Sequence, residues 1–362
     1  MKDISSSKCI GYPVNLDLDM SYFKELSQFP FYNVGVIPFD DNQVIDNNAA
    51  LGIDTRVHES KVLNFIADLY HIPDDEWFGY IGSGSTEGNI FGLYLARELY
   101  PDGILYCSDT SHYSIFKASK ILKLELCSIP SHLTGEINIE FLEKEIKKNL
   151  DRPVILNLNI GTTMSGAIDK IEPIVTMLEN NDVQNHYIHC DAALFGMMLP
   201  FIDNSPLPTF KNPIDSLVIS GHKFIGSPMP CGLVLTKNRY VNKISKHVEY
   251  AKTSDVTIAG IRNGHTALIM WHAIQTRGKQ GFARETKMCI KNARFLYDNL
   301  MNINYPTKIN DYSNIVLLKK PSQALIDKWD LATEGEWAHV VVMQHVTLKC
   351  LTEFICDISL QQ

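Results

Sequence analysis

The chain has 362 residues, 45% of them apolar, a formal net charge of −8 at pH 7 and eight scattered cysteines. That length exceeds one minimal core, and the charge forms no long acidic or basic block, which argues against a nucleic-acid or membrane surface. With no CxxC pair, no apolar run near the roughly 20 residues of a membrane span and no leader pattern at Met1–Gly11, a cytoplasmic protein with reduced thiols is expected.

Over residues 1–45, Gly11, Pro13, Pro30, Gly35 and Pro38 interrupt any long helix and predict an arm that packs on a neighbour, a partner subunit included. Further on, Gly82-Ser-Gly-Ser-Thr-Glu-Gly-Asn89 follows Tyr80-Ile81 and precedes an apolar helix through Phe91, Leu93 and Leu95. Glycines leading into a helix expose N–H groups to an anion, so this loop is a candidate phosphate cradle, or else a structural helix cap. It is not a P-loop, and Glu87 stands where GxGxxG needs its third glycine.

Gly103–Cys107 has strand length and leads into Ser108-Asp-Thr-Ser-His-Tyr-Ser114. The His112 imidazole there suits stacking on a planar cofactor, or a purely structural bond. Helical spacing over Ile137–Leu150, strand Pro153–Asn159, helical spacing over Ile171–Glu179 and strand Tyr187–Cys190 follow in turn. Asp191, within His189-Cys-Asp-Ala-Ala193, ends the last of these and could hold a metal, a ribose or a protonated ring nitrogen. His186 and His189 point to opposite faces of a strand, so no metal site is expected.

Strand Ser216–Ser220 runs into Ser220-Gly-His-Lys-Phe-Ile-Gly226. Burial of Lys223 in that turn would lower its pKa from about 10.4 towards neutrality, and a neutral amine is what Schiff-base chemistry requires. Past about Val256 come a long helical stretch through Leu268, Trp271 and Ile274 and short strands at Ile315–Leu318 and Val340–Met343, the pattern of a smaller α+β unit. Strand–helix alternation predicts an α/β fold with a mostly parallel sheet, whose ligands lie beyond the carboxyl ends of the strands. The expected divisions are an arm at 1–45, a large domain at 46–262 and a small C-terminal domain at 263–362.

The order of these motifs, with Gly161-Thr-Thr-Met-Ser-Gly-Ala-Ile-Asp169, Gly226–Gly232 and Arg262-Asn-Gly-His265, resembles the group II pyridoxal-phosphate decarboxylases, in particular bacterial histidine and plant serine decarboxylases. The resemblance implies a fold type I enzyme with a seven-stranded sheet, pyridoxal 5'-phosphate on Lys223, and a homodimer with its site at the interface, served there by residues near Ile261–His265. It implies that Asp191 meets the pyridine nitrogen, that His112 and Ala193 cover the two ring faces, and that Thr163 lies near the ring hydroxyl. Ser83, Gly84, Ser85, Thr86, Ser220 and His222 would take the phosphate. Tyr250, His112 and Lys223 are candidates to return a proton after CO2 loss. The implied reaction is L-histidine to histamine, with L-serine or another small or apolar amino acid as alternative and transamination as a second. Two departures bear on the substrate: Ile261 stands where the family usually has serine, and Tyr32–Val36 replaces an Asn-Asn-x-Gly-Asp turn ahead of an unaligned stretch, Asp40–Asp54.

Overall fold

A computed structural model describes residues 8–17, 23–24, 27–34, 55–73, 77–210, 213–248 and 253–361. Asp40–Asp54 and Tyr250 lie outside the described residues. The elements begin with β1 (Tyr32–Val34), α1 (Arg56–Leu69), β2 (Trp77–Gly82), α2 (Ser85–Leu99), β3 (Ile104–Ser108), α3 (Tyr113–Leu122) and β4 (Glu125–Ile129). They continue through α4 (Ile139–Ile146), β5 (Val154–Asn159), α5 (Ile171–Asn180), β6 (His186–Asp191), β7 (Ser216–Ser220), β8 (Gly232–Lys237) and α6 (Asn238–Val241). The last third holds β9 (Lys246–Val248), β10 (Thr253–Asp255), β11 (Ile261–Asn263), α7 (Gly264–Asn302), β12 (Thr307–Ile309) and β13 (Ile315–Lys319), then α8 (Gln323–Trp329), β14 (Ala332–Glu334), β15 (Trp337–Val341) and α9 (Leu348–Ser359).

Seven strands form one sheet in the order β2-β8-β7-β6-β5-β3-β4. β8 is antiparallel to both neighbours, and the other pairs are parallel. Side chains alternate along each strand between two apolar layers, since both faces are covered. Phe78, Leu105, Ile155, Tyr187 and Val218 join the layer containing Phe91 of α2. Trp77, Tyr106, Leu156, Ile188 and Leu217 face the other layer, which extends into the C-terminal unit through Phe282, Val340 and Phe354. That unit is an antiparallel sheet ordered β12-β13-β15-β14, reached by α7, whose course breaks at Gly278 with φ 56°.

The N-terminal arm, expected to pack on something, a partner subunit included, lies at Ile10 and Gly11 against this chain's small sheet. Val341 N–H donates to Ile10 O at 2.7 Å, and His339 Nε2 donates to Gly11 O at 2.9 Å. Some predicted elements also change extent. The helix expected over 137–150 covers Ile139–Ile146, and the strand expected at 340–343 is Trp337–Val341.

β1 and β11 pair as an antiparallel ribbon in which Asn33 faces Arg262. Both are buried, and Arg262 meets the buried Glu59 carboxylate of α1 through both terminal nitrogens while also donating to Ile81 O at 2.8 Å. Glu59 in turn accepts from Ile81 N–H at 2.6 Å and from Asn33 Nδ2 at 3.1 Å. The ion pair thus ties the ribbon to the strand that leads into the Gly82–Asn89 loop. Arg262→Leu would leave a carboxylate buried without its cation, and a loss of about 3–5 kcal/mol in urea unfolding is expected. A loss below about 1 kcal/mol would mean that the pair does not hold the ribbon.

Candidate active site

β2, β3, β5, β6 and β7 all end on one edge of the sheet, and their following turns enclose a cavity of about 580 Å³. The residues expected to hold the cofactor line it: Ser83, Gly84, Ser85, Thr86, His112, Thr163, Asp191, Ala193, Ser220, His222 and Lys223. Ligands of open α/β sheets bind at such carboxyl edges. Pro13, Ile315 and Val341 close the far wall from the N-terminal segment and the small sheet.

Lys223 sits in a five-residue π turn, Gly221–Ile225, with φ −92° and ψ −110°, a conformation outside the helical region that turns it off the axis of its neighbours. Burial lowers the amine's pKa from its ordinary value, and the Asp191 carboxylate offsets part of that effect. Asp191 is only 7% exposed; its Oδ2 accepts from Asn89 Nδ2 at 2.8 Å and its Oδ1 from Ala193 N–H at 3.2 Å. Beside Lys223, the His222 ring is held through Nδ1, 2.8 Å from Cys231 O, and burial pushes its pKa down.

At the amino end of α2, the first intrahelical bond runs from Gly88 N–H to Gly84 O. The amides of Ser85, Thr86 and Glu87 precede it and so lack partners within the helix, in the first turn where an anion is favoured. Ser85 Oγ lies 2.7 Å from Ser220 Oγ, joining this turn to the lysine loop. Ser83 differs from expectation. Its N–H and its hydroxyl donate to Glu87 Oε2 at 2.8 and 2.7 Å, so the acid that breaks the GxGxxG pattern occupies both donors.

His112 caps α3, its Nδ1 accepting from Ser114 N–H at 3.3 Å and lying 2.8 Å from Ser114 Oγ. Burial lowers its pKa; Asp191 opposes the shift, and Lys223 and Lys117 reinforce it. The Gly161–Thr163 turn is forced by glycine: Gly161 has φ 99°, and a Cβ there would lie 1.6 Å from Phe195 Cδ2. Thr163 is exposed at the cavity mouth. Ile261, 64% exposed, is not among the residues lining this chain's cavity. Among the described residues, no group of three or more His, Cys, Asp or Glu is placed to hold a metal, and no helix is long and apolar enough to cross a membrane.

Sequence reasoning missed a buried tier behind Asp191. His189 Nε2 lies 2.9 Å from Asn89 Oδ1 and its Nδ1 2.7 Å from Ser216 Oγ. Burial lowers the His189 pKa from 6.5 to about 4, with Asp191 opposing. Between those values the unfolded chain binds a proton that the folded chain refuses, so stability falls as pH drops through the window, by on the order of 3 kcal/mol from this one group. His189→Gln should therefore show a smaller loss of unfolding free energy than wild type between pH 7 and 4. Equal losses would contradict a buried neutral imidazole.

A family model described as the pyridoxal-dependent decarboxylase conserved domain matches residues 58–310. The chain is 41% identical over 352 residues to serine decarboxylase 2 of Oryza sativa subsp. japonica, covering 97% of this chain and 74% of that one. It is 41% identical over 338 residues to histidine decarboxylase of Acinetobacter baumannii (strain ACICU), covering 93% and 86%. Among solved structures, L-methionine decarboxylase from Streptomyces sp. 590 superposes with a TM-score of 0.86 at 21% identity, over 98% of this chain and 91% of that one. At that identity the likeness speaks for the fold.

Proposed function

This chain belongs to the pyridoxal-dependent decarboxylases, and from that premise we propose that its substrate is L-histidine, converted to histamine and CO2. It is a carboxy-lyase acting on an amino acid with pyridoxal 5'-phosphate as cofactor. The residues present suit that cofactor. Three residues whose amides precede the first helical bond, Ser85, Thr86 and Glu87, line the cavity, a buried carboxylate stands at Asp191 for a ring N–H, and a lysine amine with lowered pKa completes the set.

The convergence of Lys223, Asp191 and the α2 amino end on one cavity carries this reading. When bound, pyridoxal 5'-phosphate supplies a ring that takes up the electron pair left by departing CO2. Lys223 would supply the amine that meets the cofactor aldehyde. The amides of Ser85, Thr86 and Glu87, with the hydroxyls of Ser85, Thr86 and Ser220, would hold the phosphate, while Asp191 would keep a proton on the ring nitrogen. His112 and Ala193 would cover the ring, and Thr163 would serve its hydroxyl. Since Ser114 donates to His112 Nδ1, His112 holds its proton on Nε2. Two of the groups considered for returning a proton to the substrate carbon, His112 and Lys223, line the cavity.

Among the described lining residues no arginine is present, and Lys223 is the only lysine. The lining includes the apolar residues Pro13, Leu194, Ile315 and Val341, which disfavours a charged substrate side chain. L-serine is the second reading, favoured by the serine decarboxylase relative at equal identity. Purified protein with cofactor, offered a panel of L-amino acids, should form histamine with the highest kcat/KM. Ethanolamine as the main product would move the assignment to serine, and ketoacids alone would overturn decarboxylation.

We further infer a cytoplasmic homodimer. All eight cysteines are unpaired. On the β1–β11 ribbon Asn33 and Arg262 face inward, while Tyr32 and Ile261 are 45% and 64% exposed, and a large apolar pair facing out calls for cover. Ile261→Glu should shift sedimentation towards the monomer and reduce activity. An unchanged dimer would place the interface elsewhere.

A further inference from the structure

Asn89 is fully buried and is not among the residues lining the cavity. Its Nδ2 donates to Asp191 Oδ2 and to Ser114 Oγ, each at 2.8 Å, and its Oδ1 lies 2.9 Å from His189 Nε2. A carboxylate only accepts, so the amide nitrogen must be the atom facing Asp191. Oδ1 then takes the His189 Nε2 hydrogen, which leaves His189 Nδ1 to accept from the Ser216 hydroxyl. Ser114, accepting from Asn89, turns its own hydrogen to His112 Nδ1. Donor directions therefore run without conflict from Ser216 and His189 to both Asp191 and His112. Flipping the amide would set its oxygen against the carboxylate and its N–H groups against that of His189.

The backbone is shaped for this contact. His189 and Asp191 are two apart on β6 and share one face. α2 reaches that face because it lacks side chains where it crosses. A Cβ on Gly92 would lie 2.4 Å from His189 Nδ1, and one on Gly88 would lie 2.6 Å from Val218 Cγ1. A short amide on α2 can thus bridge two groups on the strand.

We propose that Asn89 is a positioning residue, which from behind the cavity wall fixes both the Asp191 carboxylate and the tautomer of His112. This rests on the roles given above to Asp191 and His112. Groups that orient a ligand or catalytic side chain without touching the reacting atoms are worth about 10- to 100-fold. Asn89→Ala holoenzyme should lose kcat in that range with KM changed by less than about threefold. It should also bind pyridoxal 5'-phosphate more weakly, with an altered visible circular-dichroism band, while the apoprotein keeps its secondary structure. Asn89→Asp, the same size but with an acceptor facing Asp191, should be worse on every count.

If Asn89→Ala matches wild type in cofactor band, cofactor affinity and kcat, the positioning role is wrong. Should Asn89→Ala not fold, Ser114→Ala removes the hydroxyl that links Asn89 to His112 and leaves the Ser114 N–H bond to Nδ1 in place; an unchanged pH profile of kcat in that variant would show that Asn89 does not reach His112 through this hydroxyl and would overturn the proposal. Wild type measured alongside separates the two claims. If it shows neither cofactor band nor amine product, the decarboxylase assignment fails instead.

Discussion

Lys223→Ala should abolish amine formation, lowering kcat by on the order of 10⁴-fold or more, the scale seen when a covalent catalytic group is removed. The amine lies in a cavity where burial depresses its pKa, which makes it a readier partner for an aldehyde than a solvent-exposed lysine. The variant should still fold, since Lys223 makes no ion pair that the sheet needs and its turn is set by Gly221 and Gly226. Lys223→Arg, charged at every accessible pH, should be equally inactive, which distinguishes a need for a neutral amine from a need for positive charge. Either variant retaining more than about one hundredth of wild-type kcat would contradict the assignment.

Asp191→Asn is the second large effect. It keeps the size of the side chain and a carbonyl for Asn89 Nδ2, but removes the negative charge proposed to hold a proton on the ring nitrogen. Loss of one preorganised electrostatic group at a reacting centre costs about 10² to 10³ in kcat. The variant should retain the cofactor and most of its stability, with loss of activity exceeding any change in unfolding free energy. A variant within about threefold of wild type would show that Asp191 does not face the ring.

Much of this site was legible because its chemistry follows strand ends. Asp191 closes a run of strand length, Lys223 and His112 follow others within a few residues, and in a parallel sheet such ends share one edge. β8 was not legible. Gly232–Lys237 follows the lysine loop with no helix between, and with both faces covered its apolar run carries no alternation. The use of Ser83 by Glu87 was hidden as well, since a carboxylate four residues along is equally compatible with a free loop. Asn89 and Ser216 act through partners about 25 to 102 residues away, a range at which spacing alone is silent. A trace did exist: Gly88 and Gly92, one turn apart on α2, mark a helix that presses close to a strand.

Borohydride reduction of the cofactor-loaded protein, followed by digestion and mass spectrometry, tests the whole account at one atom. The prediction is a single pyridoxyl-phosphate adduct on the peptide carrying Lys223. An adduct on a different lysine, or none in protein that still releases CO2 from an amino acid, would contradict it.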